Sequence, residues 1–384
     1  MTRASWTAKR FALAFLALAS VSGVALFLVA HDFGRDPSAV TIKVGTLLPR
    51  NADLMANATK MQNGLELAKE DLLERHKGTL SIEFHHANGC FERETVPAVR
   101  QFVADGIPII GASFCLFGHI PILPLTEDNK IITFNTAANP DAVLDKRFAF
   151  STNVEIKDDA ARMAAFAYEV MGHRRAMVMH LDSPFGHDYN KYFSREFSRL
   201  GGTVLFSAAK APDARQFEDA IARIKTSEPD LIVTAHFGVP LGRFFRQLRD
   251  ANIHAAILGN YETEDSDVLD APGDASEGVV FLSSEPEIAT ETMIRFQRRY
   301  IRKYGVAPDA LVAHCYDDLL LSVEAYLTCS GDRECMRDTL HRVSGYQGVS
   351  GVTEINASGA TRRVTAFKVI KHRTFIRHQP RTTP

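Results

Sequence analysis

Hydrophobic and polar positions fall into three regimes along this chain. The first is Phe11 to Ala30, a stretch without a single charge, preceded by Arg3, Lys9 and Arg10. About 20 helical residues at ~1.5 Å each span the ~30 Å hydrocarbon core of a bilayer. The positive flank stays on the cytoplasmic side, so everything beyond Ala30 is expected outside the inner membrane. Two readings fit. As a removed signal, the segment has a basic start, an apolar middle and a small-x-small site at Ala17-Leu18-Ala19. As a retained anchor, it explains why an apolar tail would persist to Ala30 after any such cut. Residues 1–39 are set aside from the fold under either reading.

The second regime alternates short apolar runs with amphipathic stretches. Strands are expected at Ile42 to Leu48, Leu80 to His85, Pro108 to Ile110 and Ile131 to Phe134. Helices are expected between them at Met55 to Arg75 and Arg93 to Asp105. The alternation then restarts. Helices are expected at Asp158 to Met171, Asp188 to Leu200, Ala214 to Thr226 and Leu241 to Ala251. Strands are expected at Ala176 to Leu181, Thr203 to Ser207, Asp230 to Ala235, Ala256 to Leu258 and Gly278 to Leu282. Runs as apolar as Ala176-Met177-Val178-Met179 suit a parallel strand covered by helices on both faces. Strand–helix–strand units in series imply right-handed crossovers and doubly wound α/β layers. Two series imply two similar lobes.

The third regime breaks the alternation. Helices are expected at Glu291 to Tyr304, Leu311 to Thr328 and Met336 to Val343. Gly351 to Ile355 and Val364 to Lys371, around the turn Asn356 to Gly359, then read as a hairpin.

Composition narrows the function. The chain beyond residue 39 exceeds one typical domain, in keeping with two lobes. A formal net charge of −2 gives no electrostatic case for nucleic acid. The five cysteines fall at 90, 115, 315, 329 and 335. In an exported chain, cysteines read as disulfides. Cys329 and Cys335 bracket a short polar turn and could close a small loop, while Cys90 and Cys115 each follow an expected strand end. The alternative is five reduced, buried thiols. Cys315, inside a helical pattern, reads as a free core residue.

Enzymatic chemistry finds little support. No G-x-S-x-G elbow surrounds Ser113, and no G-x-G-x-x-G phosphate loop is present. His85 and His86 point to opposite faces of a strand. His180, His187 and His236 lack metal-ligand spacing. Neither a metal nor a cofactor is implied.

The order of local motifs resembles the type I periplasmic solute-binding proteins, in particular the leucine/isoleucine/valine-binding family of ABC importers. The matching segments are the opening strand 42–48, Asp105 to Gly111, Ile131 to Pro140, Phe185-Gly186 with its following helix, and Gly351 to Gly359 followed by Val364 to Lys371. The resemblance covers about residues 40 to 375. It implies two parallel-sheet lobes joined by three hinge crossings, near Ser151 to Asn153, Leu282 to Ser284 and Val349 to Thr353. Lobe one is then 40–151 plus 284–350, and lobe two 152–283 plus 351–384. It also implies a Cys90–Cys115 bridge tying the second strand's end to the first ligand loop.

Ligands of such folds bind at the C-terminal ends of parallel strands, so the loops 112–118, 135–139, 182–188, 236–240 and 260–264 should line a cleft. By resemblance, Ser113, Leu116, Phe117, Asn135, Thr136, Ala137 and Asn139 of lobe one face the solute. Phe185, Phe237, Tyr261 and Glu262 face it from lobe two. Leu116 stands where relatives carry Ser, with Ser113 one turn earlier, and Ala138 or Asn139 stands at their Thr. The aromatic residues also suit core packing, and Thr136 and Asn139 also suit turn chemistry. The implied function is capture of a small polar or acidic solute, an amino acid or a related carboxylate or amide, and delivery to an ABC permease and ATPase. The alternative is a membrane-tethered sensor subunit of the same fold. Neither is an enzyme, and both work in the periplasm or on the outer face of the inner membrane.

Overall fold

The computed structural model describes residues 39–51, 54–270 and 273–378. The expected apolar helix at 11–30 lies outside them. Among the described residues no helix is long and apolar enough to cross a membrane.

Two sheets carry the molecule. The first contains β1 (Val40–Leu48), β2 (Leu80–Asn88), β3 (Ile109–Ser113), β4 (Ile132–Asn135) and β5 (Ala149–Phe150), in the order β2-β1-β3-β4-β5. Every pairing in it is parallel. The second is built on β6 (Arg175–Leu181), β7 (Thr203–Lys210), β8 (Leu231–Ala235), β9 (Ala256–Gly259) and β10 (Val280–Pro286), also parallel. Every residue of β3 and β8 is buried. That is the reason for their unbroken apolar or small-residue composition: helices cover both faces, so neither side can be polar without a partner.

Helices Met55–Arg75 and Ala310–Thr328 pack together over the first sheet. Their close approach depends on Gly64, where a Cβ would stand 2.7 Å from the carbonyl oxygen of Val312. Met61, Leu65, Ala68 and Leu72 form the buried row of the first helix, at the spacing of one helical face. The second lobe's core is rich in phenylalanine. Phe193 and Phe197 stack at 5.2 Å, and Phe217 and Phe244 meet at 5.1 Å.

The chain passes between these cores three times. After β5 it enters helix Ile156–Ala165 of the second core. After β10 it returns through helix Glu291–Tyr304, whose Phe296 and Tyr300 join the first core. It crosses again after a short antiparallel ladder of β11 (Tyr346–Gly348) and β12 (Gly351–Thr353).

Several expected elements differ. The hairpin of 351–355 with 364–371 does not form. Instead β12 pairs with β11, while β13 (Thr365–Lys371) joins β10 antiparallel and carries the edge strand β14 (Thr374–Arg377). The second sheet is therefore seven-stranded with an antiparallel edge. Turn chemistry at Asn356 is local, but the choice of strand partner belongs to the tertiary fold. The helix expected from Asp188 starts at Pro184, because Ser183 caps it, accepting from the Gly186 N–H at 3.4 Å. The helix expected to end at Met171 is α-helical only to Ala165 and finishes as a π turn, Phe166–Val170.

Candidate functional site

The C-terminal ends of the two sheets meet. From the second lobe, Tyr261 follows β9 and donates its hydroxyl to the Ala137 carbonyl, beyond β4, at 3.2 Å. That carbonyl also accepts from Asn153 Nδ2 at 2.5 Å. Leu116, which opens the short helix Leu116–His119, packs across onto the second lobe's core.

Ser113 ends β3, fully buried, with a hydroxyl that has no partner within the protein. Its carbonyl accepts from both the N–H (3.0 Å) and the hydroxyl (3.1 Å) of Thr136. Asn135 donates to the Ala138 carbonyl, and to Asn139 Oδ1 at 3.3 Å. Asn139 donates to the carbonyls of Asn153 (2.8 Å) and Val154 (3.2 Å). The side chains of Asn135, Thr136 and Asn139 thus brace the loop and the first crossing. Phe117 points outward and is 52% exposed. Gly118 behind it has no room for a side chain, since a Cβ would lie 2.2 Å from the Gly89 carbonyl oxygen. This contact sets the loop against the end of β2. There the sulfurs of Cys90 and Cys115 lie 1.94 Å apart, and those of Cys329 and Cys335 lie 2.07 Å apart elsewhere in the lobe. Cys315 is buried and free.

The second lobe supplies an aromatic wall. Phe185 meets Tyr189 at 5.1 Å and Tyr261 at 6.2 Å, both edge-on, the geometry aromatic pairs prefer. Phe237 is half-buried beside the same core. Two carboxyl groups stand near this wall. Asp159 is buried and receives the Tyr189 hydroxyl at 3.4 Å; burial pushes its pKa up to about 7 against the pull of Arg162. Burial, then the charge of Asp265, pushes Glu262 up to about 7 as well. Both amide atoms of Asn260 are buried, beside the Tyr189 hydroxyl.

Tyr189 and Asp159 fall outside the expected set, and Asn260 enters it only as the first residue of the expected cleft loop 260–264. Tyr189 follows Phe185 by four residues, hence shares its helix face, and that spacing was the available signal. His180 and His187 meet edge-on at 5.4 Å, and His187 Nε2 lies 3.0 Å from Asp182. Among the described residues no group of three or more His, Cys, Asp or Glu is placed to hold a metal. An open-sided hollow lies beside the second crossing, lined in part by Ser284, Pro286, Phe296, Asp309, His314 and Ser350.

Two doubly wound lobes, three crossings and opposed strand-end loops define a two-lobed solute-binding fold. The periplasmic binding protein family matches residues 41–371, and the chain belongs to that family. It is a solute-binding protein and not an enzyme. It is 20% identical over 248 residues to the Leu/Ile/Val-binding protein homolog 3 of Brucella melitensis, covering 64% of this chain and 67% of that one. It is 23% identical over 252 residues to the Leu/Ile/Val-binding protein BraC3 of Rhizobium johnstonii, covering 63% and 67%. Among solved structures, a leucine binding protein from Thermotoga maritima superposes with a TM-score of 0.81 at 21% identity, covering 88% of this chain and 98% of that one. A solute binding protein from R. palustris in complex with benzoate superposes at 0.75 with 18% identity, covering 88% and 95%.

Proposed function

We propose that this protein captures a small polar or acidic solute in the periplasm, between lobe one (40–151 plus 284–350) and lobe two (152–283 plus 351–384), and delivers it to an ABC importer. The observation that carries this reading is the meeting of strand-end loops from two sheets, at Tyr261 and Ala137, in a chain of the periplasmic binding protein family. Similar proteins are named for leucine, isoleucine and valine, and one similar structure holds benzoate. Amino acids and small aromatic carboxylates are therefore the first solutes to test. Ser113, Leu116 and Ala137 form the solute's surroundings from lobe one, with Asn135, Thr136 and Asn139 holding the loop. Phe185, Phe237, Tyr261 and Glu262 form them from lobe two. Aromatic walls with a few placed polar groups are the usual make-up of such a pocket.

Both cysteine pairs are oxidised in this reading, as the periplasm permits. Residues 11–30 hold the protein on the outer face of the inner membrane. That tether equally suits a receptor subunit that signals to a membrane partner, and its length is the feature favouring this second reading. Native mass spectrometry of the full chain purified in detergent tests the capture. A retained small molecule, released on unfolding, is the expected result. No retained mass, together with no thermal shift from any amino acid or aromatic carboxylate, would remove the proposal.

A further inference from the structure

A second set of contacts joins the lobes outside the wall of the cleft. Asp141 Oδ2 accepts from Lys191 Nζ at 2.8 Å and from the Tyr192 hydroxyl at 2.6 Å. The Asp141 backbone N–H donates to Asp188 Oδ2 at 2.8 Å. Lys191 also donates to the Tyr192 hydroxyl at 3.1 Å, and its ammonium lies 4.4 Å from the Tyr192 ring. The three partners belong to one helix, Pro184–Arg199, of the second lobe. Asp141 opens the turn Asp141–Val143, and Val143 is buried with Leu123 and Ala149 in the first lobe. Tyr192 is only 8% exposed, within the second lobe's core. Each end of the clasp is therefore rooted in a different body. Burial alone would raise the Asp141 carboxyl, but its bonds to Lys191 and Tyr192 outweigh that and hold it below the ordinary range.

We propose that Asp141 is an affinity-setting residue of the cleft: it holds the lobes together from outside, and so slows release of the solute without touching it. The proposal rests on the solute-binding reading above. Contacts that exist only when the lobes meet add to the closed population, and apparent affinity scales with the fraction of binding-competent molecules. Exposed ion pairs alone contribute little, and here Asp141 and Lys191 are 45% and 54% exposed. The clasp differs from an isolated pair because one carboxylate takes two donors, one from a buried tyrosine, while its own N–H is held by Asp188. Opening the cleft would break all three bonds together. Loss of the Asp141 carboxylate is expected to raise the dissociation rate about two- to tenfold, the range for one or two partly exposed charge-assisted bonds.

The test uses the full chain in detergent with one spin label per lobe, at R100C and S198C, and reads the lobe separation by pulsed dipolar spectroscopy without any solute. Asp141→Ala is expected to move population to longer distances, and Tyr192→Phe to do so less. Distances unchanged in both variants would overturn the proposal, whether or not a solute is known. If Asp141→Ala fails to fold, Tyr192→Phe decides, because it keeps the buried ring and removes one bond. With a solute in hand, Asp141→Ala should raise its dissociation rate two- to tenfold; an unchanged rate would overturn the proposal too. Absence of any solute would remove the capture reading alone, since the distance measurement still decides the clasp.

Discussion

Ser350 is tied twice to Asp317: its backbone N–H donates to Oδ2 at 2.7 Å and its hydroxyl at 2.5 Å. The neighbouring Val349 N–H donates to the other oxygen at 3.0 Å. One residue along the same helix, Asp318 accepts the Thr152 N–H at 3.2 Å. Adjacent acids thus hold the third and the first crossing, respectively. Arg363 joins the two, donating to the carbonyls of Ser350 and Thr152. Asp317, Asp318, Thr152 and Ser350 are all buried, so this hinge network has little water to replace a lost partner.

Asp317→Ala removes the acceptor for two backbone N–H groups and a hydroxyl, and leaves Arg363 short of a countercharge. Breaking a buried charged network in this way costs about 3–5 kcal/mol. Urea unfolding of the variant should show the midpoint falling with little change in slope. Asp317→Asn, which keeps an oxygen acceptor, should lose less.

Asp159 gives a pH dependence of definite sign. Its pKa in the folded protein is pushed up to about 7, above the ordinary aspartate value. The folded state therefore holds a proton that the unfolded state has released. The linked stability is fully present below about pH 4 and is lost as pH rises toward about 7. Asp159→Asn keeps the shape without the titration. Subtracting the two melting-temperature profiles should leave a wild-type decline confined to that window. A difference that is flat, or that rises with pH, would contradict this assignment.

Peptide mapping without reductant should recover Cys90 linked to Cys115 and Cys329 linked to Cys335, with Cys315 as the one thiol that appears on unfolding. Four further free thiols would argue against both the pairing and an oxidising compartment.

Membrane fractionation with sequencing of the mature N-terminus separates anchor from signal. A chain that stays with the membrane and begins upstream of residue 11 is the expected result. A soluble chain starting near Ser20 or Leu26 would show that the segment is removed.

Much of the fold was legible because burial wrote it into composition. The apolar cores of β6 and β8 declare parallel strands covered on both faces, and the row through Leu65 and Leu72 declares a helix. The expected hairpin does not form because Asn356 to Gly359 dictates only that the chain turns; that β13 then pairs with β10 depends on a sheet edge left open far away in sequence. The strand-end loops followed from the topology of parallel sheets. Their contacts did not: Asp141 finds Tyr192, and Tyr261 finds Ala137, only once the lobes are placed. The hinge left one readable mark, Asp317 and Asp318 side by side in the mostly apolar helix Ala310–Thr328. Adjacent acids in such a place call for buried partners.

Titration calorimetry of a screened solute against the wild-type chain and Phe237→Ala tests the central claim most directly. One solute per chain is the expected result in the wild type. Loss of the apolar cover of Phe237 should weaken binding by roughly 1–3 kcal/mol. Glu262→Gln should matter only for a solute that carries an ammonium group. Equal affinity in the wild type and in both variants, for a solute that carries an ammonium group, would show that it does not sit between these loops.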